Sequence, residues 1–314
     1  MDKLPFEKVK VKILTKQKYD INLKIPKRSA VELINAGIIN LDKPSGPKSI
    51  HAVNKVKGAM EIYKAGHAGT LDPLVTGVLP VGLNKGVKVL PVLSVAGKIY
   101  QGKMHVHKEV PLKKIKEAFE KFTGEIEQLP PKISAVARKL RKRTIYFFNI
   151  DKIDNKDVYF TVGCEAGTYI RKLCHDMGEY LGCGANMAQL RRLQSGPFKI
   201  KDSVTLEKVK ENYFKYLETK NEKLIQDIVC PLEEGVMHLA KIWVDDDVIE
   251  RLRHGSPVFA PGIVSLTSNI EKGKYTAVFD IRGNLLAIGI AEMDSKEIMA
   301  AEKGLAVKTD FVLI

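Results

Sequence analysis

The sequence predicts an α+β protein made of two folded parts. Strand-like and helix-like segments are mixed along the first two-thirds of the chain without strict alternation, which argues against a doubly wound sheet. The last stretch, 242–314, changes to short apolar runs joined by turns, the pattern of a small β module. At 314 residues the chain exceeds the usual span of one domain.

The elements follow in order. Residues 3–28 hold nine Lys and Arg against two acids, Glu7 and Asp20, so 1–35 reads as a basic N-terminal arm. "SAVELINAG" offers a Ser cap, a short helix and a terminal Gly. "IINLDKPSG" reads as a strand entering a Pro-Gly turn, and from Ser49 onward Val53, Val56, Met60 and Tyr63 recur at helical spacing. "GVLPVGL", "KIYQGKMHVH", "TIYFFNI" and "DVYFTVGC" predict strands. "LKKIKEAFEKFTG" predicts an amphipathic helix with Ile115, Phe119 and Phe122 on one side. "TYIRKLCHDMGEYLG" predicts another, striped by Ile170, Leu173, Cys174, Met177 and Leu181 and closed by Gly182. A polar loop at 218–223 precedes the second part, which runs from 242 and carries one helix at "DDVIERLRHG" and the turn "RGN" between "AVFDI" and "LLAIGIA".

Composition narrows the function. Lys plus Arg total 51 against 37 acids, a formal charge of +14, with 45% hydrophobic residues. A folded chain of that sign favours a polyanionic partner, because phosphates release counterions when neutralised. No apolar run is long enough to span a bilayer, and the N-terminus lacks a signal-peptide core, so a cytosolic protein with no membrane partner is expected. Cys164, Cys174, Cys183 and Cys230 are too few for a disulfide scaffold. Although Cys174 adjoins His175, no Cys-x-x-Cys occurs, so inert thiols are expected rather than a metal site. No P-loop or dinucleotide-binding glycine pattern is present, which leaves a cofactor-free reaction or none.

Asp72 then stands out. In "AGHAGTLDPLVTGVLPVG" it lies between a Gly-rich turn and a proline that pushes it into an extended conformation, with His67 and Thr70 as the other reactive side chains. An Asx turn is the bland alternative. Arg171 sits in the first turn of an otherwise apolar helix, two residues from Tyr169, and needs an anionic partner if it is buried. "KISAVARKLRKRTIY" carries Lys132, Arg138, Lys139, Arg141, Lys142 and Arg143 with no acid, either a solvated face or a phosphate-binding one. Arg191 and Arg192 add a weaker signal of the same kind.

Together these pieces resemble the TruB/dyskerin family of pseudouridine synthases. "GHAGTLDPLVTGVLPVGL" is similar to that family's catalytic motif, "LDKPSGPKS" to its Lys-Pro-x-Gly motif and "GKIY" to its tyrosine motif. "GTYIRKLCHDMGEYLGCGANMAQLRRLQSGPF" is similar to its later helix and arginine segment. Ala68 stands where close relatives often have Gly. The resemblance implies a mixed-sheet catalytic domain over 36–241 and a PUA-like RNA-binding module over 242–314 against which the N-terminal arm packs. It implies isomerisation of uridine in tRNA or at guide-RNA-directed rRNA sites, without a cofactor. The archaeal and dyskerin branch, which the basic stretch and PUA-like module resemble, adds H/ACA guide RNA and small accessory subunits as partners. Asp72 is implied as the essential carboxylate, attacking C1′ or the base or assisting a glycal route. Arg171 is its partner, Tyr100 stacks on the flipped base and Tyr169 packs beside it. Lys43 and His67 position the loop, and Arg138, Lys139, Arg141, Lys142, Arg143, Arg191 and Arg192 meet RNA phosphates. A non-catalytic RNA-binding scaffold explains the charge but not the Asp72, Tyr100 and Arg171 set. An RNA methyltransferase would need a cofactor loop that the chain lacks.

Overall fold

In the run Lys98–Val106 the apolar residues Ile99, Met104 and Val106 are buried, and the first sheet is built around this strand. The computed structural model describes residues 2–129 and 139–314. The strands of the first part are β2 (Gly37–Lys43), β3 (Ala65–His67), β4 (Thr76–Leu83), β5 (Lys98–Val106), β6 (Gly124–Gln128), β7 (Arg141–Asp154), β8 (Asp157–Cys164), β9 (Ala185–Ser195), β10 (Phe198–Lys199) and β11 (Cys230–Pro231); β1 (Ile13–Thr15) precedes them. They form one sheet in the order β11-β2-β4-β9-β5-β8-β7-β6, with β3 on β4 and β10 on β9. All pairs are antiparallel except β4 with β9.

Two apolar clusters flank this sheet. One gathers Leu41, Val53, Val56, Met60, Leu79 and Tyr213, the other Met104, Phe119, Phe148, Phe160, Leu173 and Met177, and Tyr100, Met187 and Leu190 pack against both. Helix Ser49–Ala59 covers the first and helices Leu112–Lys121 and Ile170–Tyr180 the second. The stripe expected on Ile170–Tyr180 is buried through Met177, while His175 points to solvent. Tyr63 departs from expectation. The helix stops at Ala59, Glu61 takes a left-handed φ of 52°, and Tyr63 is left outside and exposed.

The second part is a seven-stranded sheet, β1-β14-β12-β15-β16-β17-β13, from β12 (Ala240–Val244), β13 (Val258–Phe259), β14 (Ile263–Thr267), β15 (Tyr275–Asp280), β16 (Leu285–Ala291) and β17 (Leu305–Val312). It carries helix Asp246–Arg253 and a second, Ser295–Ala300, whose capping box is built on Asp294 and Glu297. Strand β1 comes from the N-terminal arm and pairs Ile13–Thr15 with Thr267–Ser265. Lys16 then donates to the carbonyls of Ala260, Ile298 and Ala301, so the arm is stitched into this sheet. The two parts also share a core. Ile38, Val78, Val89 and Leu93 cluster with Trp243, Val264, Phe279, Leu285, Ile288 and Leu313. No helix among the described residues is long and apolar enough to cross a membrane.

Candidate active site

Asp72 lies in the loop between β3 and β4, and the loop is pinned from below. Ser49 Oγ accepts from Leu71 N at 2.8 Å and donates to Leu71 O at 2.9 Å. Gly46 N donates to Pro73 O at 2.9 Å, and Val75 N to the carbonyl of Asp72 itself. Lys43, wholly buried, donates from Nζ to Pro44, Pro73 and Val75 oxygens at 2.8–3.0 Å. Two of these carbonyls follow Asp72 in its own loop and the third directly follows β2, so one ammonium ties the loop to the Lys43-Pro44 turn. Burial and the nearby Arg192 charge lower the Lys43 pKa, opposed by Asp72.

The parallel β4–β9 pair brings the next layer. Gly77 and Arg192 are register partners, and a Cβ on Gly77 would stand 2.2 Å from the Arg192 carbonyl oxygen. With φ at +104° as well, only glycine suits that position. Arg192 is buried, donating from Nε to Val78 O at 2.6 Å and from Nη2 to Gly69 O at 2.9 Å. Its guanidinium therefore holds the turn before Asp72 from inside the protein instead of facing outward to phosphate. Arg191, its neighbour, is partly exposed and pairs with Asp42 at 2.7 Å and Thr76 at 3.2 Å.

Arg171 enters from the start of helix Ile170–Tyr180 and pairs with Asp72 through Nη2 and Oδ2. Both side chains stay open to solvent, at 60% and 50% exposure, so the burial entertained for Arg171 does not occur. Tyr169 caps the same helix, its backbone bonded both ways to the Gln128 side chain. Tyr100 faces Arg192 across the β5–β9 pair and is half-buried between the two cores. Burial raises its hydroxyl pKa, with Arg192 acting against the shift. Burial and the Arg192 charge lower the pKa of His67, on β3.

The basic stretch divides. Arg138 and Lys132 lie outside the described residues. Lys139 is exposed and Arg141 half-exposed. Lys142 pairs with Glu125 on β6 at 2.8 Å. Arg143 is largely covered: it reaches Glu165 at 3.5 Å, donates to Lys142 O and lies over Gly167. It thus braces the loop that leads to Tyr169 and Arg171.

Two supporting residues escaped the sequence reading. Ser49 looks like an ordinary helix start, and Lys98 like any strand lysine, although Lys98 stands in a run otherwise apolar or small. In the fold Lys98 is buried and donates to Leu93, Ser94 and Ala96 oxygens at 3.3, 2.6 and 2.6 Å. What the assembled site can do is plain chemically: it presents one carboxylate, oriented by a guanidinium, on a rigid loop beside a tyrosine face.

Known proteins resemble the chain from end to end. Family profiles match as a TruB family pseudouridylate synthase N-terminal domain over 57–112 and 105–170, a tRNA pseudouridylate synthase B C-terminal domain over 171–237 and a PUA domain over 240–313. A probable tRNA pseudouridine synthase B of Methanopyrus kandleri is 45% identical, covering 91% of this chain and 85% of its own. Its Nanoarchaeum equitans counterpart is 44% identical, over 99% and 90%. Among solved structures, a chain from a Cbf5-Nop10-Gar1 complex superposes with TM-score 0.94 at 41% identity, covering 98% of this chain and 96% of that one. A chain from an H/ACA RNP bound to a substrate RNA containing 2′-deoxyuridine gives 0.91 at 38%, covering 99% and 97%. On identity of this level across its length, the chain belongs to the TruB family of pseudouridine synthases.

Proposed function

We propose that the chain converts uridine to pseudouridine with Asp72 as its essential carboxylate, both as the catalytic subunit of an H/ACA guide-RNA particle and on the T-loop uridine of tRNA. The observation that carries the reading is the Asp72–Arg171 pair on a loop pinned by Lys43, Ser49 and Gly46. Likeness along nearly the whole chain to proteins solved with Nop10, Gar1 and substrate RNA supports the particle, and the names of the relatives support tRNA.

The residues divide the work as follows. The target leaves its stack, at about a few kcal/mol, and its uracil lies on Tyr100. RNA covers the open pair, and exclusion of water strengthens the hold of Arg171 on Asp72. The carboxylate then assists cleavage of C1′–N1 while the ribose stays fixed and the base turns to offer C5. Tyr100, kept protonated by burial, donates or relays a proton at the base edge. Tyr169 packs beside the sugar, and His67 and Lys43 keep the loop in register. Lys139, Arg141 and Arg191 supply phosphate contacts around the opening, and the compartment is the cytoplasm.

The test is incubation of the protein with tRNA transcript and with guide plus target RNA, with and without accessory subunits, followed by pseudouridine mapping. Product in both settings is expected. Product in neither overturns the reading, and product only with guide RNA overturns its stand-alone half.

A further inference from the structure

Three cations sit beneath the catalytic loop with almost no counter-charge among the described residues. Lys43, Lys98 and Arg192 are 0%, 4% and 1% exposed. Eight hydrogen bonds go to main-chain carbonyls, three from Lys43, three from Lys98 and two from Arg192, and Arg192 also bonds the Tyr100 side chain. Lys98 and Arg192 converge on one point. A Cβ at Gly69, three residues before Asp72, would stand 3.4 Å from Arg192 Nη1 and 3.6 Å from Lys98 Cε. Tyr100 follows Lys98 by two residues on β5, which puts both on one face of that strand, and is the cross-strand partner of Arg192.

Carbonyls alone do not require this. A neutral donor would satisfy them without the several kcal/mol that burying a charge costs. Asp72 is the carboxylate that acts on Lys43 and Tyr100, and it stands at the surface with Arg171 as its own partner. Cys164 beside Lys98 is no counter-ion, because burial pushes its thiol up to about 12. The interior below Tyr100 therefore carries excess positive charge.

We propose that Lys98 and Arg192 form a buried cationic floor that stabilises the uracil anion released when C1′–N1 breaks. The inference rests on the functional reading above and deepens it. In every route through C1′ the electron pair of the C1′–N1 bond goes to the base. If Asp72 Oδ bonds to C1′, its negative charge passes to the uracil. Then C1′–C5 forms as the Asp72 Oδ–C1′ bond breaks and returns its electron pair to the carboxylate, C5 gives up its proton and N1 gains one, so the sum is an isomerisation. The base bears charge while it turns on Tyr100, and a preorganised field there acts on the transition state.

Groups facing Lys98 are the carbonyls of Leu93, Ser94 and Ala96, Arg192 on β9, Cys164 on β8 and His238. Burial holds His238 near about 4 and neutral. Burial and Arg192 bring Lys98 down to about 7, so an anion forming above it draws a proton onto it.

The experiment is single-turnover consumption of RNA with uridine or 5-fluorouridine at the target, since fluorine makes the departing base a more stable anion. Lys98→Met should slow uridine by about 100-fold and 5-fluorouridine by no more than about 10-fold. Lys98→Arg, which keeps the charge, should recover most of the rate. Equal slowing of both substrates in Lys98→Met overturns the proposal and leaves Lys98 a structural cap. If Lys98→Met does not fold, the wild-type protein decides. Its uridine rate should fall as pH rises from about 6 to about 9, and a flat profile overturns the proposal. A wild-type protein that makes no pseudouridine overturns the functional reading itself.

Discussion

Asp72 and Arg171 meet across 99 residues of chain, and both remain half open to solvent. A pair so placed contributes little to folding and is available to substrate. The carboxylate gains its orientation from the guanidinium and its fixed height from the carbonyl bonds of Lys43.

Asp72→Asn keeps shape and removes charge. Turnover should vanish while RNA binding stays within a few-fold and thermal stability is unchanged, because the side chain is exposed. Tritium release from 5-labelled uridine measures it. Activity above about 1% of wild type would remove Asp72 from the role of essential carboxylate.

For Arg171→Ala, the exposure separates activity from stability. A buried pair would lose about 3–5 kcal/mol, whereas an open one changes stability by about 1 kcal/mol or less. The expected result is low turnover with a nearly unchanged Tm. Arg171→Lys should recover activity in part, since an ammonium lacks the planar fork. A large drop in Tm for the Ala variant would show that the pair is closed in solution.

Lys98 makes stability depend on pH. Its pKa is about 7 in the folded chain, against an ordinary value of 10.5. Between those values the unfolded chain binds more protons, so this contribution to stability rises as pH rises from about 7 and is smallest at and below it. Thermal melts of wild type and Lys98→Met across that interval should diverge, the wild type gaining with pH relative to the variant. Parallel curves would mean that Lys98 titrates normally.

How far this was legible in the sequence differs by element. The helix over Ile170–Tyr180, the strand of "KIYQGKMHVH" and the Asp72 loop follow from periodicity and turn residues, which are local. What was not legible is the partner across space. The stretch "ANMAQLRRLQS" reads as an arginine segment, yet it is β9, lying between β4 and β5, with Arg192 turned inward. Nothing local says that, because the parallel match to Thr76–Gly77 joins segments more than a hundred residues apart. Helix Leu206–Thr219 is marked locally by its Thr205 cap, and only the fold shows that Val209 and Tyr213 form its buried side. Lys98 looks exposed because lysine usually is, and Lys43 is drawn into the site only by the family resemblance of "LDKPSGPKS".

Removing 242–314 should do more than weaken RNA binding. Trp243, Phe279, Leu285 and Leu313 share a core with Val78 and Leu93, and β1 would lose its partner strand. The truncated chain is expected to aggregate or melt far below the full chain, which should itself unfold in one transition. A truncated protein of unchanged Tm would show that the shared cluster adds nothing.

The last prediction concerns salt. If all of Arg141, Lys142 and Arg143 met phosphates, replacing them with Ala would flatten the plot of log affinity against log salt by about three units. The fold lowers that number. Lys142 already faces Glu125, and Arg143 lies against Gly167 with Glu165 beside it. Arg141 is left as the freest of the three, so the triple variant should flatten the slope by about one unit. The change should be alike for unrelated RNAs, since phosphates carry no sequence. Arg143→Ala alone should behave differently. By loosening the loop before Tyr169 and Arg171 it should lower turnover at saturating RNA while leaving the slope unchanged, and Arg141→Ala should do the reverse. A full three-unit loss in the triple variant, with normal turnover in Arg143→Ala, would mean that RNA pulls Lys142 and Arg143 away from their acidic partners. The stretch would then be a phosphate track after all.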